Sequence, residues 1–236
     1  MRLLKPSATL INVSHSVPVK FIDHCGRVCY KSESNGDPQK WSKFVRARIK
    51  DGHESVLEHV NATVLFICDR GVSHELVRHR IASFSQESTR YCNYGSDHIS
   101  FIIPCWTELS EGQSTLDINE ESTMYQGILF YNDNELKWLA AMAFAENFYR
   151  ELLRDGWSPQ QARSVLPNSL KTELVMTTNL REWRHIFSLR CDRPAHPQMR
   201  ELMLPLLNDF CSCMPDFFFD LHEKFFGGSS EREETR

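Results

Sequence analysis

Nothing in the 236 residues approaches the roughly 18 to 20 consecutive apolar residues that a membrane-crossing helix needs. The opening stretch, MRLLKPSATLINVSHS, has too short an apolar run for a signal peptide, and Pro6 interrupts it. A soluble, cytoplasmic chain without a membrane partner is expected. An excess of positive charge is also missing: 27 Lys and Arg stand against 31 Asp and Glu, a net −4. That balance argues against a general nucleic-acid binder, so any anion site must gather its cations locally. The eight cysteines lack metal-ligand spacing. Cys25 and Cys29 lie beside His24, and Cys211 and Cys213 lie near the end, but neither pair matches a structural zinc site. They read as buried free thiols in a reducing compartment, and no metal is expected. Pro104-Cys105-Trp106 has no neighbouring cation to activate the thiol, so Cys105 reads as structural. Internal repeats and linker-like segments are absent too.

What is present is an ordinary globular balance, 41% hydrophobic and 25% charged, enough to bury a core. Residues 9–13 read as a short strand. A helix is expected from Val17 to Tyr30, with Val17, Phe21, Cys25 and Val28 near one face, and another over 38–50 with Pro38 at its start. From Val60 to Cys68 every second residue is apolar, which is strand periodicity. Residues 72–80 return to helical spacing, 98–103 to a strand, and the polar, acidic stretch 108–122 to a surface loop. A long amphipathic helix is expected from Glu135 to Arg154. Ser158-Pro159-Gln160-Gln161 then opens a helix that carries Arg163 and stops before Pro167. Residues 171–178 read as a strand, 179–189 as a helix, and 197–212 as a helix containing Pro205. The run Phe217-Phe218-Phe219 reads as core or subunit interface. These elements make one α+β domain over residues 1–222, with a flexible tail from 223 to 236.

The most unusual stretch is RHRIASFSQESTRY, residues 78–91. Arg78, His79, Arg80 and Arg90 are four potential cations in an otherwise acidic chain. Ser83, Ser85, Gln86, Ser88 and Thr89 interleave hydrogen-bonding groups. A guanidinium donates two parallel hydrogen bonds to a phosphate or an imide edge, so the segment suits an anionic ligand. Cations that only complement a helix dipole are the plainer reading of the first three.

The spacing of Arg78-His79-Arg80, Ser88 and Arg90 resembles the signature of the flavin-dependent thymidylate synthases. RGVSHELVRHR (70–80), GHESVLEH (52–59), QQARSVLP (160–167) and NLREWRHIFSLRCD (179–192) resemble further blocks of that family, in the same order. The resemblance implies an α+β domain with a mixed or antiparallel sheet and packed helices. It implies the methylation of dUMP to dTMP, with methylenetetrahydrofolate as carbon donor and tetrahydrofolate released. Hydride would come from FAD reduced by NADPH. It further implies a homotetramer whose sites are shared between chains, and no protein nucleophile. Carried over by position, Glu75, Leu76, Val77, Arg78, Gln86, Glu87, Ser88, Thr89, Arg90, Arg163 and Arg190 would contact dUMP. Arg190 would be the catalytic residue, favouring ionisation at N3 of the uracil. His53, Ser55, Arg78, His79, Arg80, Gln86, Asn179, Leu180, Arg181 and His185 would contact FAD. Two positions depart from the pattern. Ser85-Gln86 stands where many relatives have Asn-Glu, and His185 stands where some carry Asn. The alternative, favoured by Gln86 alone, is a flavin- and nucleotide-binding regulator without synthase activity.

Overall fold

The computed structural model describes residues 1–34, 36–95, 98–113 and 133–227. In chain order the strands are β1 (Arg2–Leu4), β2 (Ser7–Val13), β3 (Asn61–Asp69), β4 (Ser83–Gln86), β5 (Ser100–Ile102), β6 (Gly112–Gln113) and β7 (Lys171–Asn179). The helices are α1 (Pro18–Val28), α2 (Pro38–Lys50), α3 (Arg70–Leu76), α4 (Asp133–Arg154), α5 (Pro159–Ala162), α6 (Leu180–Arg190), α7 (Pro197–Cys213) and α8 (Pro215–Phe226). The α+β class is as the sequence implies. One sheet has the order β5-β1-β6 and the other β2-β3-β7-β4. None of the described helices is long and apolar enough to cross a membrane. The chain forms two compact units: Met1–Ser7, Phe66–Leu76 and Ser85–Leu174 in the first, Ala8–Leu65, Val77–Phe84 and Val175–Arg236 in the second.

In the first unit β1 runs parallel to β5 and antiparallel to β6, so this sheet is mixed. Leu3, Phe101 and Ile103 bury against Leu139, Met142 and Tyr149, which share one face of α4. Helical spacing, read correctly from the sequence, aims those three side chains at the sheet. The helix after Ser158 is shorter than expected. Gln161 Oε1 does accept from the Ser158 backbone N–H at 2.9 Å and its hydroxyl at 2.8 Å, but α5 ends at Ala162. A 3-10 turn, Arg163–Val165, follows, and Leu166 is extended at ψ 131°. Pro167 dictates that geometry, because the proline ring disfavours helical backbone in the residue before it.

In the second unit α1 packs on α2 through a face different from the one expected. Ile22 and Gly26 are buried, whereas Val17 and Val28 are 46% and 70% exposed. Gly26 sets this contact: a Cβ there would lie 2.6 Å from Phe44 Cε1. Only glycine leaves room for the Phe44 ring to lie against the backbone of α1. Asp37 caps α2 by accepting from Gln39 N–H at 3.0 Å. Trp183 and Phe187 of α6, Phe210 of α7 and Phe218 of α8 form the aromatic centre of the unit, with ring centroids 5.1–5.8 Å apart. Such offset and edge-to-face pairs add about 0.5–1.5 kcal/mol each beyond area burial.

Helix α8 has no counterpart among the elements expected from the sequence. Pro215 starts it at the first helical position, and Phe217, Phe218 and Leu221 supply its buried face. The aromatic run is therefore core at Phe217 and Phe218, and the helix continues to Phe226, past residue 223, where the sequence reading begins the tail. Residues 228–236 of that tail, and 114–122 of the expected acidic loop, lie outside the described residues. The thiols are free, but the expectation of burial is corrected: Cys29 and Cys213 are exposed, Cys25 and Cys211 only half-buried. Cys29 and Cys213 fall at the ends of α1 and α7.

Candidate functional site

Within the first unit α3 leads toward the arginine-rich segment. Asp69 Oδ1 accepts from Val72 N–H at 2.7 Å and satisfies an otherwise unpaired amide of its first turn. The helix ends at Leu76, which is fully buried, not at Arg80 as expected. Val77 and Arg78 form a turn, and residues 78–80 alternate exposed, buried, exposed. His79 is thus buried while both neighbouring arginines face solvent.

Gln86 and Glu87 spend their side chains inside the first unit. Gln86 Nε2 donates to Ser73 Oγ at 2.9 Å and to Thr172 Oγ1 at 3.2 Å. The Glu87 carboxylate accepts from Tyr94 Oη at 2.7 Å, Lys171 Nζ at 3.2 Å and Glu173 N–H at 3.2 Å. Burial, the donated hydrogen bond and the charge of Glu87 together push the Tyr94 phenol far above its ordinary range. The next residues face outward: Ser88 is half-buried and Arg90 exposed. The Arg90 guanidinium sits 5.5 Å from the Tyr91 ring centroid. Thr89 is buried, and its Oγ1 accepts from Nη1 of Arg163 at 3.1 Å. Thr89 thereby fixes an exposed arginine from the turn after α5. Glu75 sits half-buried on α3.

The second unit holds a cavity of about 740 Å3. Ile81, Asn179, Arg181, Glu182, His185 and Ser188 line it. The last four lie on one exposed face of α6, whose other face carries the fully buried Leu180, Trp183 and Ile186. Asn179 caps α6, its Oδ1 accepting from Glu182 N–H at 2.9 Å. Opposite, Arg181 Nη1 pairs with Glu58 Oε1 at 2.5 Å. The buried Arg184 guanidinium donates to Asp220 through two bonds of 2.8 and 2.7 Å, to Glu54 at 3.0 Å, and to the Phe217 carbonyl. A guanidinium is the one cation whose planar fork can satisfy that many acceptors at once. Burial pulls Arg184 down, but its hydrogen bonds and the charges of Asp220 and Glu54 outweigh this and leave it raised. His53 and Ser55 are exposed, and the turn Glu54–His59 gives the cavity Glu54 and Glu58 instead of them.

His79 is the pivot of this unit. It is 6% exposed. Its Nε2 accepts from Arg190 Nε at 3.0 Å, and its Nδ1 lies 3.4 Å from Glu182 Oε1. The His185 ring stands edge-on with its centroid 6.2 Å away. Burial, then the Arg190 and His185 charges, push His79 down to about 4. A guanidinium can only donate, so the ring nitrogen facing it must be bare, and the proton of the neutral ring sits on Nδ1, toward Glu182. The same His79, Glu182 and His185 atoms come within 4.8 Å of one another, a spacing a cation can use. The Arg190 charge against the ring opposes one there.

The sequence-nominated residues thus fall into two sets. Glu75, Leu76, Gln86, Glu87, Ser88, Thr89, Arg90 and Arg163 belong to the first unit. His53, Ser55, Val77, Arg78, His79, Arg80, Asn179, Leu180, Arg181, His185 and Arg190 belong to the second. Sequence reasoning missed Glu182 and Ser188. The available signal was their spacing from His185 on one face of α6.

On an α+β frame the chain thus carries a cavity walled by both donors and carboxylates, a buried His79 paired to Arg190, and the exposed Arg90 and Arg163, the features of a small-molecule enzyme class. The family described as thymidylate synthase complementing protein matches residues 10–216. A flavin-dependent thymidylate synthase of Corynebacterium aurimucosum is 32% identical over 208 residues, covering 85% of this chain and 79% of that protein. One from Pyrococcus abyssi is 34% identical over 161 residues, 67% of this chain and 57% of that protein. The crystal structure of the UMP/dUMP methylase PolB from Streptomyces cacaoi, bound with 5-Br dUMP, superposes with a TM-score of 0.73 at 26% identity, covering 98% of this chain and all of that one. The chain belongs to the flavin-dependent thymidylate synthase family.

Proposed function

We propose that this chain is an FAD-dependent thymidylate synthase that methylates dUMP to dTMP. Methylenetetrahydrofolate donates the carbon, NADPH the reducing equivalents, and tetrahydrofolate leaves. The observation that carries the reading is the Arg190 guanidinium, held by its Nε on a neutral His79 in the unit that contains the donor-lined cavity. Beside a uracil carbonyl and N3, that guanidinium stabilises the imide anion and raises electron density at C5.

The cavity residues fit a flavin. Its volume lies within the range of small-ligand sites. Asn179, Arg181, His185 and Ser188 on its wall are donors suited to ring carbonyls and ribose hydroxyls. Four wall carboxylates, Glu54, Glu58, Glu182 and Asp220, disfavour a diphosphate there. The exposed Arg78 and Arg80, flanking His79, are the better partners for it. FAD, once bound and reduced, supplies hydride, and the protein's part is to position and to exclude water. Both His79 ring nitrogens face protein groups, so this residue meets the flavin through its ring face or through Arg190 and Glu182.

For dUMP, Ser88, Arg90 and Arg163 supply the donors to phosphate and sugar, and Thr89 orients Arg163. Ser88 binds and does not attack. Leu76 contributes backbone only. Gln86 and Glu87 set the shape of this segment through their bonds to Ser73, Thr172 and Lys171. Gln86 therefore has a structural reason to be present, which counts against reading it as the mark of a regulator without activity. The enzyme works as a cytoplasmic homotetramer with sites built from more than one chain. Release of tritium from C5 of labelled dUMP, dependent on folate and NADPH, tests the reading. Arg190→Ala should abolish release while the yellow flavin absorbance stays. Flavin binding with no release by the native chain would overturn it.

A further inference from the structure

We propose that Glu182 is a positioning residue that sets Arg190 for reaction through the tautomer of His79. The inference rests on the reading of Arg190 as the pyrimidine contact and adds what holds it. Two contacts join three groups: Glu182 Oε1 is 3.4 Å from His79 Nδ1, and His79 Nε2 accepts from Arg190 Nε at 3.0 Å. All three belong to one unit. The His79 side chain is 6% exposed and that of Glu182 12%, so water competes weakly for either ring nitrogen.

A neutral imidazole carries its proton on one nitrogen or the other, and the choice decides whether Arg190 has an acceptor. With the proton on Nε2, two N–H groups would face each other and the guanidinium would swing away. The Glu182 carboxylate accepts but cannot donate, so it favours the proton on Nδ1 and leaves Nε2 bare. A guanidinium anchored by its Nε edge has its plane fixed, and that plane orients the terminal nitrogens that pair with the imide. Glu182 is itself placed by α6: its backbone N–H is held by the Asn179 cap at 2.9 Å. The residue most able to disturb the arrangement is His185, on the same helix with its ring centroid 6.2 Å from that of His79.

The test uses the flavin-loaded enzyme and the variants Glu182→Ala and Glu182→Gln. The glutamine keeps an oxygen that can accept from Nδ1–H. Glu182→Ala, assayed with flavin in excess, is expected to lower kcat about 10- to 100-fold, the range for a misplaced reacting group, with KM for dUMP within about twofold. Glu182→Gln should recover most of the rate. Nitrogen-15 spectra of the histidine rings, with His79 identified by its loss in His79→Gln, give a readout independent of turnover. A single tautomer protonated at Nδ1 is expected in the native chain and Glu182→Gln, and mixed tautomers in Glu182→Ala. An unchanged kcat in Glu182→Ala, no rescue by glutamine, or an unchanged His79 tautomer would each overturn the positioning role while the proposed function stood. An inactive native chain would overturn both.

Discussion

At the scale of single residues, the proposed chemistry depends on a histidine kept neutral by its surroundings. Burial first, then Arg190 and His185, bring His79 from 6.5 to about 4, and Glu182 is the acid that faces it. The folded ring is thus a weaker base than the unfolded one. Above about pH 6.5 both forms are neutral and the group leaves stability untouched. Between pH 6.5 and 4 the unfolded ring takes a proton that the folded ring refuses, so stability falls across that window. From pH 7 to pH 5 the ring alone should remove about 2 kcal/mol, because each pH step inside the window is worth about 1.36 kcal/mol. Urea unfolding of the native chain and His79→Gln at both values checks this: the native chain should lose about 2 kcal/mol more than the variant. Equal losses would mean that His79 titrates normally.

At the scale of elements, Asn179 caps a helix and lines the cavity proposed for the flavin. Its Oδ1 accepts from Glu182 N–H, which leaves the Nδ2 donor for a ligand on the proposed reading. Asn179→Ala should cost about 1 kcal/mol of stability, the usual loss of a cap, and weaken flavin binding as well. Asn179→Asp restores an accepting oxygen at the cap but removes the donor and adds charge to a wall already rich in carboxylates. Thermal unfolding should therefore recover while flavin affinity stays low. Recovery of both by aspartate would reduce Asn179 to a cap. The sequence could be read best where period and punctuation agreed: α2 behind Asp37-Pro38, β3 with its alternation, and α6 behind Asn179. It could not be read in β1 or β4, which at three and four residues are too short to show a period. In α1 the apolar residues marked the wrong face, because the packing surface was set by a glycine and not by a large side chain. At the site, Gln86 and Glu87 were named for ligand contacts, and the bonds their side chains make to Ser73, Thr172, Tyr94 and Lys171 were not legible, because those partners lie far apart in the sequence. Glu182 stayed hidden because an acid in the first turn of a helix has an ordinary dipole explanation.

At the scale of the whole molecule, a net charge of −4 conceals cations that are each fixed locally. Arg163 is held by Thr89 within the first unit, and Arg190 by His79 within the second. Removing one guanidinium therefore leaves the support of the other intact, which is the condition for complementation between defective chains. If each site draws residues from more than one copy of a homotetramer, Arg163→Ala and Arg190→Ala, each inactive alone, should regain activity when co-expressed and assembled together. Random assortment leaves about a quarter of the sites with neither defect, so turnover should recover to about a quarter of the native value. Sedimentation of the mixed sample should report four copies per particle. Mixed particles of that size with no turnover would mean that each site takes both arginines from a single chain.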